Sequence, residues 1–338
     1  MMKTWKRVVS LCLCAMMMLG VLCACGEDPT PTEAPGPTQT PEEAKVLKVL
    51  TLGHSLTLDS CHMLVMIAGI EGYENLVVGT LYYSGCSLAK HAQFIREDAK
   101  EYDLYLSSSD APQTPPKAHK SVSMQDALGY DYWDIVVMQG GAFQIAQPGT
   151  YQDGNIQFIQ EYVLENVPGI APKFAWNMTW APPTDNALRD TYPHTPNTYY
   201  SNYAMFEHSR AKFYEILSDS VKNNIMNDPT FSMMIPTGTA MENALSSYLE
   251  EKDLHRDYVH ASDLGRLIAS YTWFCRLTGV SKLDSLMLDV VPRAFLVSTK
   301  SGGDWRLTQA QKNVILEAVN NALANPLQIT PSQYTTAG

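Results

Sequence analysis

The chain has 338 residues, a formal net charge of −11 and seven cysteines. An acidic chain does not suit binding to the phosphates of nucleic acids or to anionic lipid head groups. The part beyond residue 45 is long enough for one large domain with a full hydrophobic core.

Residues 1–24 have the layout of a secretory signal peptide, with three positive side chains before an apolar run over residues 8–23. The run ends in Leu22-Cys23-Ala24-Cys25, which resembles the lipobox of a bacterial lipoprotein. Because a small residue precedes it, Cys25 is the predicted lipidation site. A plain signal peptide and an uncleaved anchor helix are the alternatives, although the run is short for a bilayer span. We therefore predict a lipid-anchored protein on the extracellular face of the bacterial cell membrane.

Residues 25–45 are rich in proline and threonine and show no apolar periodicity. Proline removes backbone donors, so this stretch predicts a semi-rigid tether rather than a folded element. One domain over 46–327 and a tail over 328–338 follow. Within the domain, Cys61, Cys86 and Cys275 allow at most one disulfide, and the pattern favours buried small hydrophobic side chains.

Strands and helices alternate through this domain. The apolar, β-rich runs predict strands at 46–52, 76–82, 133–138, 173–180 and 231–235. Helical spacing predicts helices at 58–70, 87–100, 156–165, 200–223, 238–249, 262–277 and 308–324. Residues 104–122 are interpreted as an inserted hairpin or excursion, and residues 181–197 as a long loop.

The alternation predicts an α/β fold, a three-layer sandwich with a central five-stranded, mostly parallel sheet. In such sheets the chemistry lies in loops at the carboxyl ends of the strands. Ser55 follows the first strand in Gly53-His54-Ser55, where its hydroxyl can be exposed and its backbone N–H can hold an oxyanion. Capping a helix is the ordinary structural role of such a serine.

A second motif, Asp257-Tyr258-Val259-His260, precedes the predicted helix at 262–277. A serine hydroxyl needs a base, and an imidazole oriented by a carboxylate is suited to that role. A surface ion pair is the alternative interpretation of this motif.

Two further residues follow the second and third predicted strands. Gly85 allows the backbone to approach a ligand and to direct an N–H at developing charge. The side chain of Gln139 carries an amide that can donate to an oxyanion. An ordinary tight turn and an exposed amide are the alternatives.

Taken together and in this order, the motifs resemble those of the SGNH (GDSL-like) hydrolases, most closely the bacterial DUF4886 branch, over about residues 46–279. The stretches that carry the resemblance are Leu52-Gly53-His54-Ser55, Ser84-Gly85-Cys86-Ser87-Leu88, Met138-Gln139-Gly140, Met178-Thr179-Trp180, Pro236-Thr237-Gly238-Thr239-Ala240, and Asp257-Tyr258-Val259-His260-Ala261-Ser262 with Gly265-Arg266.

The resemblance implies a flavodoxin-like SGNH hydrolase fold with Ser55 as nucleophile, His260 as base and Asp257 as the residue that orients the base. It also implies an oxyanion hole formed by the Ser55 N–H, the Gly85 N–H and the Gln139 side chain. No metal or organic cofactor is implied. The chain departs from the branch in having His54 in place of asparagine and Gly140 in place of a second glutamine.

The predicted function is a serine esterase that removes small acyl groups, such as acetyl, from an extracellular carbohydrate. Its expected partners are a carbohydrate or small acyl-ester substrate and the membrane, and the sequence carries no signal of oligomeric state. His54 and Trp180 are candidate substrate contacts, because sugars stack on aromatic rings. The alternatives are a non-catalytic lipoprotein that binds glycans or peptides, and a metal site formed by His255, Asp257 and His260, joined by His54.

Overall fold

The computed structural model describes residues 46–110, 112, 117–141, 143–183, 206–297 and 303–336, which belong to one packed unit. The predicted signal peptide, Cys25, the tether and most of the predicted 181–197 loop lie outside these residues. Among the described helices, none combines the length and the apolar character that a bilayer span requires.

A seven-stranded sheet forms the centre of the domain. In chain order its strands are β1 (Leu47–Gly53), β2 (Leu76–Tyr82), β3 (Tyr102–Ser108), β4 (Lys117–Val122), β5 (Ile135–Met138), β6 (Lys173–Asn177) and β7 (Phe231–Ile235). Their spatial order is β4-β3-β2-β1-β5-β6-β7. A separate antiparallel pair consists of β8 (Val290–Val291) and β9 (Trp305–Arg306).

The five predicted strands are present and parallel to one another, but the prediction of a five-stranded sheet is wrong. The predicted excursion at 104–122 is the hairpin β3–β4, which extends the sheet from the free edge of β2 in antiparallel pairing. Its strands have alternating polar side chains, and an antiparallel edge hairpin can remain partly open to water on one face. Because of this polarity, apolar runs alone do not predict these two strands as part of the central sheet.

Helices cover both faces of the sheet, which gives the predicted three layers. They are α1 (Ser55–Cys61), α2 (Leu64–Ile70), α3 (Leu88–Arg96), α4 (Met124–Tyr130), α5 (Gly149–Gln152), α6 (Asn155–Asn166), α7 (Arg210–Val221) with a π-helical turn (Lys222–Met226), α8 (Thr237–Leu245), α9 (Glu251–Leu254), α10 (Asp263–Thr278), a 3-10 turn (Arg293–Phe295) and α11 (Gln309–Ala324). The predicted helix at 58–70 is thus two short helices. Gly279 caps α10 with φ of 80°, as its position predicts.

The core lies on both sides of β1. Val49 and Leu50 are fully buried and face opposite layers, as expected for a central parallel strand. Cys61, Cys86 and Cys275 are free and buried, which confirms the interpretation as small hydrophobic side chains.

The chain beyond α11 packs back onto α8 and the turn that follows it. Asn243 accepts a hydrogen bond from the Thr330 N–H (2.8 Å), and the Tyr248 N–H donates to the Tyr334 carbonyl (2.9 Å). The ordered domain therefore continues past residue 327, into the stretch predicted as a tail.

Candidate active site

Ser55 is the first residue of α1, immediately beyond the carboxyl end of β1. The turn between them is tight, because a Cβ on Gly53 would lie 1.8 Å from the Thr57 hydroxyl oxygen. His54 caps α1: its Nδ1 accepts from the Leu56 N–H (3.3 Å), and its own N–H donates to Thr57 Oγ1 (3.1 Å). The side chain of Ser55 is thereby held at the rim of the sheet.

The loop before α10 brings the predicted acid and base to this serine. His260 Nε2 lies 2.8 Å from Ser55 Oγ, and His260 Nδ1 lies 2.8 Å from Asp257 Oδ2. Because an ionised carboxylate only accepts, Asp257 assigns the ring proton to Nδ1 and leaves Nε2 to accept from the Ser55 hydroxyl. The structure thus brings Ser55 together with Asp257 and His260, which lie more than two hundred positions later in the sequence.

The Asp257 carboxylate is held in its charged form by the loop itself. Its Oδ1 accepts from the backbone N–H groups of Val259 (2.9 Å) and His260 (2.8 Å). Burial alone would raise the pKa of Asp257, but hydrogen bonds from the His260 ring and from these two N–H groups hold that pKa below its ordinary value. At neutral pH this carboxylate is therefore ionised and able to orient the imidazole.

The two backbone N–H groups predicted for the oxyanion hole belong to Ser55 and Gly85, at the ends of β1 and β2. The N–H groups of Ser55 and Gly85 make no hydrogen bond to any described residue. The N–H of Ser55 belongs to the first turn of α1, where helix geometry leaves donors unused. Gly85 has φ of 62°, a left-handed conformation that glycine adopts without strain.

The structure does not present the Gln139 amide as the predicted third donor. This side chain is fully buried, and its amide nitrogen donates to Thr179 Oγ1 (2.9 Å), which in turn donates to the Gly140 carbonyl (3.1 Å). One of the two amide N–H groups is thus used by Thr179, in the chain following β6, and the side chain is closed to solvent. The sequence pattern could not reveal this partner.

The prediction that Trp180 contacts substrate is wrong, because its side chain is fully buried. Its indole N–H donates to the carbonyl of Val259 (2.9 Å), one residue before His260. Trp180 therefore supports the loop that carries the imidazole rather than lining a groove.

His54 is also unavailable to substrate, with 3% of its surface exposed. Burial lowers the pKa of His54 to about 4; the Gly140 carbonyl opposes this shift and the nearby His260 adds to it. Its Nδ1 accepts from the Leu56 N–H, so the imidazole has no free acceptor for the Ser55 hydroxyl. His54 therefore does not compete for the Ser55 hydroxyl.

The geometry gives no support to the alternative metal site. His255 is buried, and its Nδ1 lies 3.0 Å from the Glu251 carbonyl. Within the described ranges, no three histidine, cysteine, aspartate or glutamate side chains are grouped as metal ligands.

Sequence reasoning missed Asp59, a buried carboxylate on α1 that accepts from the Ala261 N–H (3.0 Å), next to His260. A signal was present, because residues four apart on a helix share a face and Asp59 is four residues after Ser55. An acidic residue on the same face as a nucleophile, within an otherwise buried helix, is a candidate partner of the site.

Comparisons with known proteins agree with this architecture. The model of the family DUF4886, a domain of unknown function, matches residues 48–291. A crystal structure of a DUF4886 family protein from Bacteroides uniformis ATCC 8492 is 24% identical, with a TM-score of 0.68 over 85% of this chain and 98% of that chain. This likeness shows a common fold.

A proposed SGNH hydrolase from Slackia heliotrinireducens is 18% identical over 69% of this chain and all of that chain, and its TM-score of 0.42 is too low to support a common fold. No curated protein matches the chain. The family model, however, covers well over half of the sequence. The chain belongs to the DUF4886 family.

Proposed function

We propose that the protein is a serine esterase of the SGNH type that deacylates an extracellular carbohydrate, with acetyl as the expected acyl group. The observation that carries this proposal is the continuous relay from Ser55 Oγ through the His260 ring to Asp257, with 2.8 Å at each step. A serine joined to a base, and a base joined to an orienting carboxylate, is the arrangement that activates a hydroxyl for acyl transfer.

In the first half of the reaction, Ser55 Oγ attacks the ester carbonyl carbon and its proton passes to His260 Nε2. Asp257 stabilises the resulting imidazolium, while the N–H groups of Ser55 and Gly85 donate to the oxyanion. The tetrahedral intermediate then expels the alcohol, which takes the proton from His260. In the second half, water loses a proton to His260 Nε2 as its oxygen attacks the acyl carbon bound to Ser55 Oγ. The bond from the acyl carbon to Oγ then breaks, Oγ takes the proton back from His260, and the carboxylic acid leaves.

The extracellular and carbohydrate parts of the proposal rest on the sequence. A lipidated Cys25 followed by a proline-rich tether would hold the domain outside the cell, where polymeric glycans are available. An acidic domain is compatible with a neutral acetylated polysaccharide and unsuited to nucleic acid.

The test is hydrolysis of p-nitrophenyl acetate by the purified protein, followed by acetate release from acetylated xylan. Ser55→Ala should abolish both reactions and the labelling of the protein by a fluorophosphonate probe. Ser281→Ala is the matched control, because Ser281 is exposed and lies outside the site. Turnover that persists in Ser55→Ala would contradict the proposal.

A second candidate function is a non-catalytic module that binds a glycan or peptide. The buried Gln139 amide favours it, because the oxyanion would be left with two backbone donors. Glycan-array binding that is equal in the wild-type protein and in Ser55→Ala, with no fluorophosphonate labelling, would support this function over the esterase.

A further inference from the structure

A buried ion cluster lies directly behind the candidate active site, at the carboxylate of Asp59. The side chain of Asp59 has 1% of its surface exposed and projects from α1, the helix that begins with Ser55. Its four-residue separation from Ser55 corresponds to about 6 Å along the helix axis, a short and rigid connection.

Two arginines, one on α10 and one in the loop before it, donate hydrogen bonds to this carboxylate. Arg266, on α10, donates from Nε to Asp59 Oδ1 (2.8 Å). Arg256, in the loop before α10, donates from Nη1 to Oδ1 (2.9 Å) and Oδ2 (3.0 Å) of Asp59, and also to the Ala261 carbonyl. Arg256 therefore links the Asp59 carboxylate to the backbone of the loop that carries His260, called the base loop below.

The backbone of the base loop is also bound to Asp59 directly. The Ala261 N–H donates to Asp59 Oδ2 (3.0 Å), and on the other side of the histidine the Val259 carbonyl accepts from Trp180. His260 thus lies between two residues whose backbone groups are each fixed to another element. The imidazole has little freedom to move towards or away from Ser55.

We propose that Asp59, Arg256 and Arg266 form a positioning cluster that sets the distance between the Ser55 hydroxyl and the His260 ring. This inference rests on the proposed function, since it assigns the cluster a part in the same acyl transfer. Asp59 is connected to Ser55 through α1, and both Asp59 and Arg256 are hydrogen-bonded to the backbone of Ala261, the residue that follows His260. None of the three residues touches the reacting atoms, so they are positioning residues and not catalytic ones.

The location of the cluster indicates a role in positioning the site in addition to any effect on the stability of the fold. Buried ion pairs often contribute little net stability, because the cost of removing the charges from water offsets their attraction. A second buried cluster in the domain, in which Arg210 binds Glu242 and Glu251, joins α7 to α8 and α9. In contrast, the Asp59 cluster joins the element of the nucleophile to the element of the base.

Arg256→Gln is the most informative variant, because Arg256 is partly exposed and its removal leaves Asp59 paired with Arg266. We expect kcat for p-nitrophenyl acetate to fall about 10- to 100-fold, since a displacement of 1 Å at a reacting pair has an effect of this size. KM should change less than about twofold, because the cluster does not face substrate. Arg256→Lys retains the charge but not the fork of donors, and should recover part of kcat.

Lys48→Gln is the matched control for stability. The Lys48–Asp131 ion pair is also partly buried, and it lies at the start of β1, the end away from Ser55. Both glutamine variants should lower Tm, and only Arg256→Gln should lower kcat. A variant Arg256→Gln that loses Tm but keeps kcat within about twofold of wild type would overturn the proposal.

Proton NMR provides a readout that does not depend on turnover. The proton between His260 Nδ1 and Asp257 should give a downfield signal in the wild type and in Lys48→Gln, and this signal should broaden or shift in Arg256→Gln. If the wild-type protein shows no turnover dependent on Ser55, the proposed esterase function fails and the NMR signal still decides on the cluster. An unchanged signal in Arg256→Gln would then show that the cluster does not position His260.

Discussion

Two histidines adjoin Ser55, and the turn that carries His54 differs from the loop that carries His260 in every property that matters for proton transfer. The side chain of His260 is 22% exposed, and each of its nitrogens has a partner, Asp257 on one side and Ser55 on the other. His54 is almost fully buried, and burial lowers its pKa to about 4. Its Nδ1 lone pair is occupied by the first turn of α1.

The comparison shows that position next to the nucleophile does not make a histidine a base. A base needs a free lone pair within hydrogen-bond reach of the proton and an environment that tolerates its charged form. The loop before α10 meets both conditions at His260, through a carboxylate and partial exposure to water. The turn after β1 meets neither, so His54 acts as a cap for the helix that presents Ser55.

The most direct test of the difference between His260 and His54 is to replace each histidine in turn. His260→Gln should lower kcat/KM for p-nitrophenyl acetate about 10⁴-fold or more, because the hydroxyl of Ser55 loses its base. His54→Asn should change it less than about tenfold, since asparagine is also a good N-cap. Steady-state kinetics of the two purified variants provide the measurement, and equal losses would show that the two histidines share the proton transfer.

The next largest effect is expected from Asp257→Asn. An amide at this position can donate to the imidazole, which favours the ring tautomer with its proton on Nε2 and leaves no acceptor for the Ser55 hydroxyl. We expect kcat to fall about 10²- to 10⁴-fold with a smaller change in KM. The rate of fluorophosphonate labelling should fall in parallel, and labelling at the wild-type rate would argue against the orienting role.

Much of this site was predictable from the sequence. Apolar runs predict the strands, and several of the site's motifs directly follow these strands. The strand before Ser55 and the Asp257–His260 spacing place both partners at one edge of a parallel sheet, whatever the details of packing. The same reasoning predicted the five parallel strands and the cap at Gly279.

What was not predictable depends on partners far away in the sequence. Gln139 follows a strand as expected, but only the fold reveals that its side chain is fully buried and donates to Thr179. Trp180 could equally have faced a groove, and its burial depends on packing against the base loop. The hairpin β3–β4 lies in the stretch predicted as a hairpin or excursion, but its place in the central sheet was not predicted. Its side chains alternate in polarity and its connection contains prolines, so the sequence shows no clear apolar strand.

A third prediction concerns the effect of buried His54 on the stability of the fold in acid. The unfolded chain binds a proton on His54 near pH 6.5, whereas the folded chain binds it only near pH 4. Between these values the unfolded state holds more protons, so the free energy of unfolding decreases as pH falls and is fully recovered above pH 6.5. His91, whose pKa burial lowers to about 3, acts in the same direction.

Urea denaturation at pH 7 and pH 4.5 measures this effect. In His54→Asn, the loss of unfolding free energy between the two pH values should be smaller than in wild type by about 2 kcal/mol, because one buried titrating group is removed. An unchanged difference would mean that His54 is protonated equally easily in the folded and unfolded chains.

The smallest expected effect concerns Trp180, which holds the loop of His260 and has no counterpart at the turn of His54. Trp180→Phe removes the indole donor to the Val259 carbonyl while keeping an aromatic ring in the core. Trp133→Phe is a matched control, because the Trp133 indole is also buried and donates to a carbonyl, that of Ala127 (3.0 Å), away from the site. Each variant should lose about 1 kcal/mol of stability, the usual net value of such a hydrogen bond.

The two tryptophan variants should nevertheless differ in kinetics. Release of the Val259 carbonyl allows the backbone before His260 to shift, so kcat of Trp180→Phe should fall about two- to tenfold with KM nearly unchanged. Trp133→Phe should keep the wild-type kcat. If both variants lose stability equally and neither loses kcat, then the Asp257 carboxylate and the anchored Ala261 N–H are sufficient to hold the imidazole, and the indole contributes to the core alone.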